Sequence, residues 1–215
     1  MKDLRGSRFC PHCGGALETR RPPGDARDRL VCAACGFIFY LGLKVAAGTV
    51  AVLDGRLALI RRGVPPGLGM WSFPCGYAEI EETLEECAVR ETREESGLEV
   101  RIEGLLGAYS YPPARDPANR VVVVAYAAVV TGGTPRAGDD ATDVRLVPPD
   151  AVPWGDLAFD SSRDAIRDWL ARRSGTQDPH RHRSGPGSAP TAPGTAPAPR
   201  PRRGAHRRGA GRPSA

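Results

Sequence analysis

Residues 76–98 read GYAEIEETLEECAVRETREESGL, from Gly76 to Leu98, and the chemistry of the chain is concentrated there. The stretch holds eight glutamates in twenty-three residues. Helical spacing of about 100° per residue sets Glu91 and Glu95 roughly 40° apart, with Glu94 about 60° to the other side of Glu91. Three carboxylates then share one edge. Like charges at such spacings oppose helix formation, and Glu94 and Glu95 also precede Gly97, a C-cap residue, where the negative end of the helix dipole disfavours acids. Arg90, four residues from both Glu86 and Glu94, offsets part of this charge. A hard divalent cation with oxygen ligands would offset more, and Mg²⁺ or Mn²⁺ characteristically joins a few carboxylates to substrate phosphates.

A solvated acidic face would have the same composition, and it is the order of residues that separates the two readings. Gly76, five residues, Glu82, seven residues, then Arg90-Glu91-Thr92-Arg93-Glu94-Glu95-Ser96-Gly97-Leu98 closely resembles the Nudix box, GX5EX7REUXEEXGU, where U is bulky and aliphatic. Thr92 stands at the middle U, which predicts weaker local packing with no charged group lost. Cys75 replaces the first Gly of a common Gly-Gly pair, and Glu81 stands before Glu82 where Gly is frequent. These departures bear on loop shape and affinity more than on the reaction.

The chain has 215 residues, room for one ordinary domain with a small module or tails. From Ser174 onward there are eight Arg and one Asp, so this tail carries +7, and subtracting it from the whole-chain +5 leaves −2 for residues 1–173. The basic character therefore belongs to the tail. Its Pro, Gly, Ala, Ser and Arg composition has no periodicity and reads as disordered. No apolar run is long enough for a membrane span, and MKDLRGSRFC lacks a signal-peptide core, so the expected location is cytoplasmic, with no membrane partner.

Cys10-Pro-His-Cys13 and Cys32-Ala-Ala-Cys35 are separated by eighteen residues, the spacing of a four-thiolate zinc ribbon. A closed four-sulfur site leaves no position for water, so Zn²⁺ there is expected to be structural. His12 lies within a knuckle and reads as a bystander. Nucleic-acid binding by the ribbon has little support, because Arg20, Arg21, Arg27 and Arg29 are not interleaved with aromatics in a recognisable pattern.

The expected organisation is a zinc ribbon at 1–42, a hydrolase domain at 43–173 and the tail at 174–215. Lys44 to Leu53 and Arg56 to Arg62 read as two strands around Asp54-Gly55, a strong hairpin signal. Trp71 and Phe73 read as core or as the frame of a base-binding slot. In the box helix, Leu84, Cys87 and Ala88 form the buried face, with Glu91 reaching beyond it toward the site. Glu99 to Tyr109, Val121 to Val130 and Asp143 to Val147 read as strands, the second buried on both sides. A final helix capped by Asp160 or Ser161 buries Ala165, Ile166, Trp169 and Leu170. This order implies an α/β fold with a mixed sheet between helices. The resemblance sharpens it to the Nudix α/β/α sandwich, preceded by the ribbon.

The resemblance further implies Mg²⁺- or Mn²⁺-dependent hydrolysis of the diphosphate in a nucleoside diphosphate linked to another group. It assigns Glu91, Glu94 and Glu95 as metal ligands, Glu82 as an aid through a water on the metal, Arg90 as the group holding Glu91, and the Gly76 backbone as a contact to metal or phosphate. Glu91 is one candidate general base. After Glu103 the chain has no glutamate, so an acid from a later loop must be Asp, and Asp140 is the candidate. A four-cysteine ribbon joined to a Nudix domain resembles the NADH pyrophosphatases and a related group associated with ADP-ribose and FAD. The SQPWPFPxS signature of the former is missing. Pro113, about fifteen residues past the box, is similar to a proline of ADP-ribose pyrophosphatases, so the expected substrate is ADP-ribose, with NADH or FAD as alternatives. A non-catalytic nucleotide sensor that binds nucleic acid, and an RNA 5′-end hydrolase aided by weak contacts of the basic tail, are the other classes. A homodimer is left open.

Overall fold

The computed structural model describes residues 7–111 and 121–175; Pro113 and the tail from residue 176 lie outside the described residues. Near the N-terminus, β1 (Leu17–Arg20), β2 (Arg29–Cys32) and β3 (Ile38–Phe39) form a small antiparallel sheet in the order β1-β2-β3. Its strands are short and its burial is confined to a few side chains such as Leu30, Val31 and Cys32, so a metal is the natural source of its stability.

The second sheet is built on β4 (Lys44–Leu53), whose period of two divides its residues between two cores. Ala47 and Ala51 face one side, with Thr49 between them, and Val50 and Val52 face the other. The chain then turns through Asp54 and Gly55, both at positive φ, 49° and 77°. Two consecutive left-handed residues are what a tight two-residue hairpin requires, and Asp-Gly supplies them at little cost. β5 (Arg56–Arg62) returns antiparallel, with Val52 opposite Leu57.

β6 (Trp71–Ser72) pairs with β5, and β7 (Cys75–Tyr77) pairs with the start of β4. After the box helix come β8 (Leu98–Tyr109), β9 (Val121–Gly133) and β10 (Ala141–Val147), giving the order β10-β5-β4-β9-β8. β4 and β9 run parallel while the other pairs are antiparallel, so the sheet is mixed as expected. β9 continues to Gly133, beyond the apolar run that announced it, because its last residues pair with Leu98 and Glu99. Only its middle, Val124, Ala125, Tyr126 and Ala128, is fully buried.

One helix covers each face. α1 (Leu84–Ser96) starts at Thr83, whose hydroxyl accepts from the Glu86 amide while the Glu86 carboxylate accepts from the Thr83 amide, and it ends at Gly97 in the left-handed conformation. Its Cys87 and Ala88 pack with Ala47, Val124 and Tyr126. α2 (Asp160–Arg173) packs Ala165, Ile166 and Trp169 with Val50, Leu57, Leu59, Trp71 and Phe73. Each large apolar side chain so enclosed contributes roughly 1.5–3 kcal/mol. Trp71 and Phe73 thus belong to the core. The α2 cap differs from expectation. Phe159 takes the N-cap position with no side-chain hydrogen bond, and Asp160 lies inside the first turn, paired to Arg163 at 3.0 Å. The α2 helix is tied to the end of β8 and the residues just after it by the hydroxyls of Tyr109 and Tyr111, which donate to Asp168 and Asp164 at 2.8 and 2.7 Å. Among the described residues no helix is long and apolar enough to cross a membrane.

Thr92 corrects the expectation of weaker packing. It is fully buried, its hydroxyl donates to the Ala88 carbonyl at 2.7 Å, and the Thr49 hydroxyl lies 2.7 Å from it. With the Thr92 proton committed to Ala88, Thr49 is the donor between the two threonines. Thr92→Val is therefore expected to destabilise by about 1–3 kcal/mol, the cost of stranding the Thr49 donor. Chemical denaturation of the Thr49→Val/Thr92→Val double variant should show a loss well below the sum of the two single losses. Additive losses would mean that the hydroxyl pair is not coupled.

Candidate active site

The four ribbon cysteines bring their sulfurs together, all within 4.8 Å of one another, and they are the group of this kind among the described residues. Cys10 and Cys35 lie 3.8 Å apart and Cys13 and Cys32 lie 3.5 Å apart. A tetrahedral ion at about 2.3 Å from each sulfur requires sulfur–sulfur separations of about 3.8 Å, whereas a disulfide needs about 2.05 Å. The spacing fits a four-thiolate metal centre. His12 stays outside it, its ring stacked on Phe37 at 6.0 Å. The ribbon arginines are largely spent within the module: Arg21 pairs with Asp28, Arg29 with Asp25, and Arg20 donates to the Cys32 carbonyl. Tyr40 is nevertheless an exposed aromatic with Arg29 over its ring, a pairing of distant residues that spacing did not reveal.

In the larger unit the box residues form one wall of a cleft of about 930 Å³. Arg90 is the centre of that wall. Its Nε and Nη2 grip Glu82 at 2.9 and 2.6 Å, its Nη1 donates to Glu91 at 2.7 Å and to Glu94 at 3.0 Å, and its Nη2 also reaches the Tyr77 carbonyl at 3.1 Å. Arg90 beside Glu82 holds that carboxyl down, to about 2, with the Glu79 amide helping. Glu91 shifts upward because burial outweighs Arg90. Glu95 is buried and accepts the Cys75 amide at 2.8 Å; burial pushes its pKa up to about 7 against that hydrogen bond and the Arg62 charge.

Gly76 lies directly over Glu91, and a Cβ at Gly76 would overlap the Glu91 carboxylate. Glycine is needed here for close approach, as the sequence pattern requires of that position. Asp140 lines the same cleft and its carbonyl accepts the Gly63 amide. The structure therefore gathers Gly76, Arg90, Glu91, Glu94, Glu95 and Asp140 along one cleft, with Glu82 engaged behind Arg90. The carboxylate oxygens are not clustered as the sulfurs are. Glu91 and Glu94 face Arg90, and Glu95 faces the Cys75 amide. Four carboxylates against one guanidinium nevertheless leave excess negative charge, and oxygen donors of this kind suit a hard dication.

This arrangement matches a known pattern. The family model of the NUDIX domain matches residues 42–172, and the model described as Nudix N-terminal, a zinc ribbon, matches residues 8–41. The chain belongs to the Nudix hydrolase family. It is 37% identical over 136 residues to an ADP-ribose pyrophosphatase of Methanocaldococcus jannaschii, covering 63% of this chain and 78% of that one. It is 31% identical over 175 residues to the NAD-capped RNA hydrolase NudC of Pseudomonas aeruginosa, covering 81% of this chain but only 60% of that relative's length. The crystal structure of a NUDIX hydrolase from Nitrosomonas europaea superposes with a TM-score of 0.72 at 31% identity, covering 80% of this chain and 94% of that one.

Sequence reasoning missed the rest of the cleft lining. Arg62, Tyr109, Tyr111, Phe159, Ser161 and Ser162 also line the cleft. They come from separate elements, and no local spacing connects them. Of the two aromatics considered for a base slot, Phe73 lines the cleft as well as the core, and Trp71 is not among the lining residues.

The Glu82–Arg90 pair predicts a pH dependence. The folded pKa of Glu82 lies below its unfolded value of about 4.3, so the pair's contribution to stability is present above that value and is lost as pH falls toward about 2. Arg90→Gln should lower the melting temperature at pH 7, and the gap from wild type should close as pH falls from about 5 to about 2. A gap independent of pH would mean that Arg90 acts through packing alone.

Proposed function

We propose that this chain hydrolyses the diphosphate of a nucleoside diphosphate joined to a second group, with ADP-ribose, cleaved to AMP and ribose 5-phosphate, as the favoured substrate. The observation that carries this reading is the acidic wall, in which Glu91 and Glu94 share Arg90, Glu95 accepts the Cys75 amide beside them, and a glycine leaves room for the Glu91 carboxylate. Its relationship to the ADP-ribose pyrophosphatase supports the choice of substrate. In this reading Glu91, Glu94 and Glu95 hold Mg²⁺ or Mn²⁺. Bound dications supply charge neutralisation of the diphosphate and a lowered water pKa.

The protein's own part is positional. Water adds to one phosphorus, the bridging P–O bond breaks, and the leaving phosphate takes the electron pair. Glu91 and Asp140 are the acids available to take the proton from that water. Arg90 keeps Glu91 and Glu94 at fixed positions, and Glu82 fixes Arg90 through its two-pronged pair. The closed arrangement of Cys10, Cys13, Cys32 and Cys35 suits structural Zn²⁺, which would supply the ribbon with about 10 to 16 kcal/mol of folding energy. In this organisation the ribbon occupies 1–42, the hydrolase domain 43–173 and the tail the remainder.

A second reading, action on the diphosphate at an RNA 5′ end, is favoured by the relationship to the NAD-capped RNA hydrolase. The basic tail would then contribute salt-sensitive phosphate contacts. Removal of residues 174–215 separates the two, since turnover of small dinucleotides should survive it and RNA action should weaken and lose salt dependence.

Turnover of ADP-ribose, NADH, NAD⁺, FAD, diadenosine polyphosphates and NTPs with Mg²⁺ or Mn²⁺ should rank ADP-ribose first, read as AMP release. Glu95→Gln keeps the hydrogen bond to Cys75 and should retain the fold while losing on the order of 10²-fold or more in turnover. Near-normal turnover in that variant would remove Glu95 from the proposed machinery. Elemental analysis should find about one zinc per chain, lost in Cys32→Ser; a stable metal-free wild type would contradict a structural zinc.

A further inference from the structure

Part of the cleft lining away from the Arg90 cluster carries donors that lack partners. The first turn of α2 contributes Asp160, Ser161 and Ser162 to the lining. Ser161 and Ser162 are only 6% and 2% exposed, and neither hydroxyl has a hydrogen-bond partner among the described residues. No fully enclosed side-chain oxygen or nitrogen lacks a partner among the described residues, so these two hydroxyls open onto the cleft. The first amides of the fourteen-residue α2 have no acceptor within the helix, because Phe159 caps it without a side-chain bond. They add the positive end of the helix dipole.

Arg62 completes this part of the lining. Its Nε donates to the Pro66 carbonyl at 2.8 Å and its guanidinium lies over the Phe159 ring at 5.0 Å, beside the residue that opens α2. Among the described residues it has no carboxylate partner, in contrast to Arg90 in the same cleft. The mouth of α2 is held firmly: the Ala158 amide donates to Trp71 at 2.8 Å, and Arg163 donates to the Leu157 carbonyl at 2.6 Å while pairing with Asp160. The Asp160 carboxylate is thus already answered.

We propose that Arg62, the hydroxyls of Ser161 and Ser162, and the free amides of the first turn of α2 form a phosphoryl-binding subsite. It takes the phosphate of the diphosphate that lies away from the glutamates. Arg62 supplies the charge and two donors, and the hydroxyls and amides supply donors around a tetrahedral anion. The inference rests on the diphosphate reading for its place in catalysis, but the donors to the anion come from these residues, and Glu95 acts on them only through its charge on Arg62. Unlike the acidic wall, it needs no dication.

The test is calorimetric binding with no dication added, using AMP, ADP-ribose and inorganic phosphate as separate probes. Wild type should bind AMP and ADP-ribose. Arg62→Gln should weaken both by about tenfold or more, and Ser161→Ala/Ser162→Ala by about tenfold, the value of a charge-assisted hydrogen bond. Glu95→Gln should leave this binding intact or strengthen it while turnover falls. Inorganic phosphate bound as tightly as AMP would identify the ligand as free phosphate, whereas a preference for ADP-ribose assigns the wall to the diphosphate. The serine double variant keeps the test decisive if Arg62→Gln fails to fold. Wild-type affinity for AMP and ADP-ribose in both variants would overturn the subsite. Normal turnover in Glu95→Gln with weakened binding in Arg62→Gln would overturn the catalytic reading and leave the subsite standing.

Discussion

The pairing of one guanidinium with three carboxylates at Arg90 is the constraint on which the site depends. Glu85 and Glu86 sit in the first turn of α1, where the dipole favours them, but Glu94 and Glu95 sit in its last turn, where it does not. Arg90 meets Glu82, Glu91 and Glu94 and also the Tyr77 carbonyl, so the group that balances charge within the helix also ties the helix to β7. The backbone at residue 76 passes directly over Glu91, so a side chain there would push the Glu91 carboxylate away from Arg90. Charge balance, the distance between helix and strand, and the glycine are therefore one requirement seen in three places.

What could be read in the sequence is what is local. The Asp54-Gly55 turn fixes the bounds of β4 and β5 through its own backbone preferences, and the box places Glu91, Glu94 and Glu95 on a single helix. The two cysteine pairs work in the same way, since each knuckle is a few residues long. The readings that needed correction involve partners far apart. Thr92 looked like a packing defect because its partner, Thr49, lies forty-three residues away on a different element. The cap of α2 was sought in a polar side chain, yet the position is held by Phe159, which packs under Arg62. Nothing in a window of ten residues connects these.

The thiol cluster and the carboxylate cluster of the chain differ in how they are held. The thiolates already stand at separations suited to an ion, in a module too small to fold on apolar burial. The glutamates stand on a helix held by one apolar cluster and a capping box, and an internal cation answers part of their charge.

The cleft is consequently asymmetric in charge. Its acidic part comes from the last turns of α1, where a helix is already negative, and another part comes from the first turn of α2, where a helix is positive. Arg62 reinforces the second part as the glutamates reinforce the first. The two helices lie on opposite faces of the sheet and bury separate cores, so neither part can shift without disturbing its own packing. A diphosphate is suited to such a field only as a composite, with cations against one side and bare oxygens against the other. A neutral ligand gains nothing from the asymmetry, and a simple cation would be attracted by one wall and repelled by the other.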